Sequence, residues 1–167
     1  MTSNTLIRLR NFVILTLVQV LIFSRIHLLE YATAYVYLIF LLKLPRLTSR
    51  NELLLWAFFF GLAVDMFGNT PGLNTCAATA MAFARNYILS AFTQKGVADD
   101  FIPSVHTLNW GGYTTYSALC LLLFYGVLYT LELFTIHYPL TLLIGVLSST
   151  LLTMLFTIVI ECFTRKR

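Results

Sequence analysis

The residues of this chain that could take part in chemistry are few and widely separated. Among 167 residues there are seven Asp and Glu, eleven Lys and Arg and three His. The histidines, His27, His106 and His137, fall in three different polar stretches. The sequence has no HExxH zinc motif, no GxSxG nucleophile motif and no P-loop. We therefore expect a protein that is not an enzyme, with no catalytic residue, no metal and no cofactor.

Two charged residues nevertheless lie inside long apolar stretches, Asp65 and Arg85. Ionisable residues within membrane segments are rare and are functional candidates by default. We expect the Asp65 carboxylate to accept hydrogen bonds from the following turn or from the N-terminus of the next helix, where an anion is favoured. The alternatives for Asp65 are a ligand-binding or proton-transfer role and contact with a partner. Arg85 is expected to extend towards the headgroups at the cytoplasmic side, and a pair with Asp65 is its alternative.

The local sequence around Asp65 predicts a helix end, a turn and a new helix. Gly68 and Gly72 are predicted to allow positive φ, Pro71 to stop the first helix, and Asn74 or Thr75 to cap the second. The candidate structural or partner-binding residues of this chain are Gly61, Asp65, Gly68, Pro71, Gly72, Asn74 and Arg85.

The composition indicates an integral membrane protein. Hydrophobic residues make up 59% of the chain and charged residues 11%, whereas soluble domains contain about 25% charged residues. A chain of this length has no room for a folded soluble domain besides the membrane bundle, so residues 1–167 are predicted to form a single transmembrane domain. The net charge of +4 is assigned to the membrane face that contacts anionic lipid, and no nucleic acid partner is expected.

Six apolar stretches predict an all-α bundle of about six membrane-spanning helices, since about twenty apolar residues are needed per span. The first two are short, with only 12 residues between Glu30 and Lys43. A tight hairpin around Arg25 and His27 is predicted there, and one kinked helix is the alternative. The predicted spans are Leu6–Ser24, Leu28–Leu44, Leu53–Phe67, Leu73–Phe92, Tyr113–Phe134 and Leu140–Phe163. The stretch 93–112 is predicted to be interfacial, with Trp110 near the headgroups.

The basic residues predict the orientation. Six spans place both termini and the loops 43–52 and 93–112 on one side, and that side then contains nine of the eleven basic residues. Positive charge is enriched on the cytoplasmic side of membrane proteins, so both termini are predicted to be cytoplasmic. The nine residues are Arg8, Arg10, Lys43, Arg46, Arg50, Lys95, Arg165, Lys166 and Arg167.

The fourth predicted helix contains many small residues. Ala77, Ala80 and Ala84 share one of its faces, with Arg85 beside them. Small residues allow helices to approach closely in a membrane. This face is predicted to pack inside the bundle, and an interface with another membrane protein is the alternative.

The region around Asp65 resembles the rod shape-determining protein MreD family. That family typically has Gly-Leu-x-x-Asp at a helix end, a turn with Pro-x-Gly or Pro-Gly, and then a helix of small residues. The motif resemblance covers residues 60–74, and the short, hydrophobic, six-span pattern resembles the family along the whole chain. Asn74 stands where family members often have His. The matching residues are Gly61, Leu62, Asp65, Pro71 and Gly72.

This resemblance implies a scaffold of the bacterial cell-elongation machinery in the inner membrane, with membrane lipids, an MreC-like protein and other elongation-complex membrane proteins as partners and no small-molecule substrate. The family is similar in fold to the substrate-binding subunits of energy-coupling-factor vitamin transporters, which supplies the alternative function of small-molecule uptake. The stretch Asn11–Ser24 contains no Ala or Gly, and this argues against the small-residue docking helix of those transporters.

Overall fold

The computed structural model describes residues 10, 12–19, 33–93, 101–133 and 139–165, and all regular structure in them is helical. Residues 12–19 are helical and are called α1. The following helices are α2 (Leu38–Leu42), α3 (Arg50–Gly68), α4 (Leu73–Phe92), α5 (Val105–Leu133) and α6 (Pro139–Arg165). The predicted limits of the fourth span, Leu73–Phe92, coincide with those of α4.

The long helices pack in chain order, with α4 between α3 and α5, and α6 against α5. A four-residue turn joins α3 to α4, so these two helices are antiparallel. Helix α6 is antiparallel to α5, because the Tyr129 and Ser149 hydroxyls meet near one end of the pair while Glu161 contacts Val105 near the other. Neighbouring long helices therefore alternate in direction.

Several polar contacts join chain segments at the end of the bundle where α3 begins, which we call the Arg50 end. Lys43 forms an ion pair of 2.6 Å with Glu161, and Glu161 also accepts the backbone N–H of Val105 at 3.2 Å. Arg46 donates its backbone N–H to the carbonyl of Phe101 at 3.0 Å. The residues before α3, the start of α5 and the last turns of α6 therefore share one end, as an alternating bundle requires. The opposite end, at the turn between α3 and α4, is called the Asp65 end.

Three helices of the described residues are long and apolar enough to cross a membrane: Arg50–Gly68, Val105–Glu132 and Leu142–Phe163. They indicate a membrane protein. Helix α4 is long enough but more polar, since it contains Asn74 and Arg85. Because α4 packs between α3 and α5, these polar residues face protein.

The prediction of a helical second span, Leu28–Leu44, is wrong in its described part. Residues 33–37 are not helical, and only Leu38–Leu42 form a helix. The stretch Thr33-Ala34-Tyr35-Val36-Tyr37 is rich in β-branched and aromatic residues, which favour helices less. Side chains of neighbouring helices bind its backbone, as described below. The hairpin predicted around Arg25 and His27 lies outside the described residues.

The fifth predicted span also begins earlier than expected. Helix α5 starts at Val105 rather than Tyr113, and it is interrupted at Asn109, whose backbone angles are φ 60° and ψ 166°. Ser104 precedes the helix, and its N–H is bound by the Thr107 hydroxyl at 3.0 Å. Trp110 therefore lies within a helix. The prediction that residues 93–112 are interfacial, with Trp110 near the headgroups, stays a prediction.

Candidate functional site

The Asp65 side chain joins the end of α3 to the start of α4. Its Oδ1 accepts the backbone N–H of Asn74 at 3.0 Å, the Asn74 amide at 3.0 Å and the Thr70 hydroxyl at 3.0 Å. Its Oδ2 accepts the backbone N–H of Thr75 at 2.9 Å and the Thr75 hydroxyl at 2.7 Å. The first amides of a helix have no partner inside the helix, and a carboxylate at this position is favoured by the helix dipole. The structure thus confirms the expectation that Asp65 binds the turn and the next helix.

The caps of the two helices differ from the prediction in detail. Gly72 precedes α4 and has the expected positive φ, with a value of 82°. Gly68 does not have one, because it is the last residue of α3. Asn69, the next residue, takes the left-handed conformation with φ 53°. Asn tolerates this conformation better than most residues. Asn74 and Thr75 lie inside the first turn of α4 rather than at its cap position, and their amides are donors to Asp65.

Gly61 lies where the backbones of α3 and α4 approach most closely around this turn. A Cβ atom on Gly61 would lie 2.5 Å from Thr75 Cα and 2.7 Å from Thr75 N. Only glycine fits at such a distance from another backbone. The contact holds Thr75 close to Asp65, one helical turn further along α3. Pro71 is exposed in the turn, where it follows the end of α3 as expected.

Arg85 lies in the centre of the bundle with an exposed fraction of 0%. Its Nη2 donates to the backbone carbonyls of Leu42, at 3.0 Å, and Leu44. The Tyr116 hydroxyl donates to the same Leu42 carbonyl at 3.2 Å. These carbonyls are at the end of α2, where helix carbonyls lack internal partners and where positive charge is favoured. Arg85 therefore caps the short helix α2 from the side.

Both alternatives considered for Arg85 from the sequence are wrong. The side chain does not extend to the headgroups, because it is fully buried. It also forms no pair with Asp65, since Asp65 is bound by the α3–α4 turn and Arg85 by residues 42 and 44. The buried backbone carbonyls make the interior position acceptable, because they replace the water that a guanidinium otherwise binds.

The non-helical backbone of residues 33–37, before α2, is a part of the site that sequence reasoning missed. Gln19 accepts the N–H of Val36 at 2.8 Å and donates to the carbonyl of Ala34 at 3.0 Å. The Tyr125 hydroxyl accepts the N–H of Tyr35 at 3.3 Å and donates to the carbonyl of Thr33 at 2.8 Å. Non-helical backbone at membrane depth is tolerated where protein surrounds it. These hydrogen bonds supply the partners that the missing helix would have supplied.

The polar residues of α6 contribute to the same interior. Ser149 accepts the N–H of Thr33 at 3.2 Å and contacts the Tyr129 hydroxyl at 2.9 Å, and Thr153 contacts the Tyr125 hydroxyl. The sequence contains a pattern that marks this face of α6, because residues with small or polar side chains recur every four positions. They are Gly145, Ser149, Thr153, Thr157 and Glu161.

The small-residue face of α4 packs inside the bundle, in agreement with the preferred prediction. Its fully buried members are Ala77, Ala78 and Ala82, while Ala80 and Ala84 are half-buried. The buried face is thus rotated slightly from the predicted one and includes Arg85.

Among the described residues three charged side chains are buried, those of Asp65, Arg85 and Glu161, and each is bound by both backbone and side-chain groups of this chain. Among the residues that the structure describes, no three His, Cys, Asp or Glu side chains converge so as to hold a metal ion. Comparison with known proteins adds no relative: no family model, no curated protein and no solved structure matches the chain.

Proposed function

We propose that this protein is a non-enzymatic membrane scaffold of the bacterial cell-elongation machinery, related to the MreD family. The observation that supports this most is the set of hydrogen bonds made by Asp65, the acid of the Gly-Leu-x-x-Asp motif. Both of its carboxylate oxygens are bound to the α3–α4 turn and to the start of α4. A carboxylate used in this way fixes the angle between two helices, which is the property that a scaffold needs.

A second buried charge supports the same proposal. Arg85 is bound to backbone carbonyls of residues 42 and 44, so it also stabilises the arrangement of helices. A general acid, a general base or a nucleophile has to reach its substrate. Arg85 is fully buried, and both oxygens of Asp65 are occupied by hydrogen bonds to the turn and to α4, which argues against either role.

We place the protein in the bacterial inner membrane with six spans and both termini in the cytoplasm. The Arg50 end contains Lys43, Arg46 and Arg50, and the Asp65 end is the opposite one. The enrichment of positive charge on the cytoplasmic side supports an orientation with the Arg50 end inside the cell and the Asp65 end outside. The proposed protein partners are an MreC-like protein and other membrane proteins of the elongation complex.

Controlled depletion of the protein in a rod-shaped host tests this function. A scaffold of cell elongation is needed for growth along the cell axis, so depleted cells should lose their rod shape and become round. Re-expression of the wild-type chain should restore rods and serves as the control. Depleted cells that keep their length, width and site of wall synthesis would contradict the proposal.

One observation favours the alternative, a substrate-binding subunit of a vitamin transporter. Residues 33–37 interrupt the helical bundle, and substrate sites of transporters are often built at interrupted helices. Here, however, Gln19, Tyr125 and Ser149 already bind backbone groups of this segment. Calorimetric titration of the purified protein with a panel of vitamins distinguishes the two functions, since tight binding of any one would favour the transporter.

A further inference from the structure

A groove of about 530 Å³ lies beside the Asp65 turn, between α3 and α4. Its volume is within the range of roughly 300–1,000 Å³ that is typical of small-molecule sites. Phe58, Leu62 and Met66 form an apolar wall along α3, and all three are exposed on the outer surface of the bundle. The groove is therefore accessible from the side, where a membrane-spanning helix contacts lipid.

The groove changes from apolar to polar along the direction of the membrane normal. From Phe58 to Asn69 it follows α3 for eleven residues, or about 16 Å. Helix α3 has 19 residues, so its length of about 28 Å is close to the hydrocarbon thickness of about 30 Å. The end near Asn69 and Gly72 is then at the level of the headgroups, and the Phe58 end is at the level of the acyl chains.

The polar end of the groove contains the Asp65 carboxylate. Its hydrogen-bond donors are all neutral amides and hydroxyls, and among the described residues it forms no ion pair. Both carboxylate oxygens already have their full number of donors, so a cation near Asp65 would be held by its charge and not by a further hydrogen bond. A cationic group at the headgroup level would be attracted to this carboxylate, and the attraction is strengthened by the nearby lipid of low dielectric constant.

From this charge and shape we infer that the groove is a binding site for a phospholipid with a primary ammonium headgroup, of the phosphatidylethanolamine type. One acyl chain lies along Phe58, Leu62 and Met66, and the ammonium group lies near Asp65. A lipid bound there would cover the cap between α3 and α4. This inference is independent of the proposed function, because it uses only the groove, its depth and its charge.

Native mass spectrometry of the purified protein in mixed micelles tests the site. The protein is equilibrated with equal amounts of phosphatidylethanolamine and phosphatidylglycerol of identical acyl chains. We expect one phosphatidylethanolamine to be retained, with a preference of about fivefold, the factor that one partly shielded ion pair supplies. Equal retention of the two lipids, or a preference for phosphatidylglycerol, would overturn the inference. This test uses the wild-type protein and needs no variant.

A pair of matched variants locates the bound lipid. Leu62→Trp fills the groove and should abolish the preference. Leu55→Trp makes the same change at another exposed position of α3 that does not line the groove, and it should leave the preference unchanged. A preference that survives Leu62→Trp in a protein of unchanged unfolding midpoint places the lipid elsewhere and rejects the site.

Photocrosslinking distinguishes a lipid from a protein occupant. Cys76 lines the groove and is exposed, so it can be labelled with a benzophenone maleimide after Cys162→Ser removes the other exposed thiol among the described residues. Illumination in native membranes should yield a phosphatidylethanolamine adduct at Cys76. A protein adduct in its place would assign the groove to a partner helix and overturn the lipid proposal.

Discussion

Replacing Gly61 by alanine tests whether the close approach of α3 and α4 fixes the Asp65 turn. The new Cβ would lie 2.5 Å from Thr75 Cα, whereas ordinary van der Waals contact begins at 3.4 Å. The helices therefore have to separate by about 0.9 Å at this point. The same movement lengthens the hydrogen bond from the Thr75 N–H to Asp65, which is 2.9 Å long, beyond the usual limit.

The magnitude follows from three contributions. Overpacking costs about 1–3 kcal/mol, and a weakened hydrogen bond to a charged group costs about 1.5–3 kcal/mol. Alanine regains about 1 kcal/mol over glycine inside a helix. Gly61→Ala should therefore lower the free energy of unfolding by about 1.5–5 kcal/mol.

The assay is unfolding of the purified protein in mixed micelles by SDS titration, followed by circular dichroism. Gly126→Ala is the matched control, because it lies inside α5 and its new Cβ would meet no atom within 4 Å. The control should be unchanged or slightly more stable. Equal stability of Gly61→Ala and Gly126→Ala would refute the reasoning that a backbone contact at Gly61 supports the turn.

Three further substitutions test the buried polar groups, with the same SDS titration unless stated. Asp65→Ala removes the acceptor for two α4 amides and should cost about 2–4 kcal/mol; a loss below about 0.5 kcal/mol would contradict its role as a cap. Arg85→Lys should cost about 1–3 kcal/mol, because an ammonium cannot keep the Nη2 contacts to Leu42 and Leu44 together with the Nη1 contact to Asn86, and wild-type stability would contradict this. Tyr125→Phe removes the hydroxyl that binds the backbone of residues 33 and 35, so amide hydrogen exchange in 33–37 should become faster, and unchanged exchange would disagree with the structure.

The structure around Asp65 could be predicted from the sequence because the residues that interact there are close together in the chain. A helix end, a turn with Pro71 and Gly72 and a helix start lie within a few residues of each other, and the limits of α4 were predicted correctly. The prediction that Gly68 has a positive φ was wrong. The left-handed conformation is adopted by Asn69, a residue type that also tolerates it.

The position of Arg85 could not be predicted in the same way. Its partners are backbone carbonyls at residues 42 and 44, more than 40 positions away in the chain. Every residue has a carbonyl, so no side-chain pattern marks the ones that will accept a guanidinium. Hydropathy also predicted a second helical span, because it does not detect that Gln19 and Tyr125 bind a non-helical backbone inside the bundle.

The central proposal is that this protein is a scaffold that assembles with the cell-elongation machinery. Affinity purification of the tagged chain from crosslinked native membranes, followed by identification of the crosslinked proteins, tests it most directly. We expect an MreC-like protein together with enzymes of peptidoglycan synthesis, enriched over an unrelated tagged membrane protein. Recovery of transporter ATPase subunits in their place would contradict it.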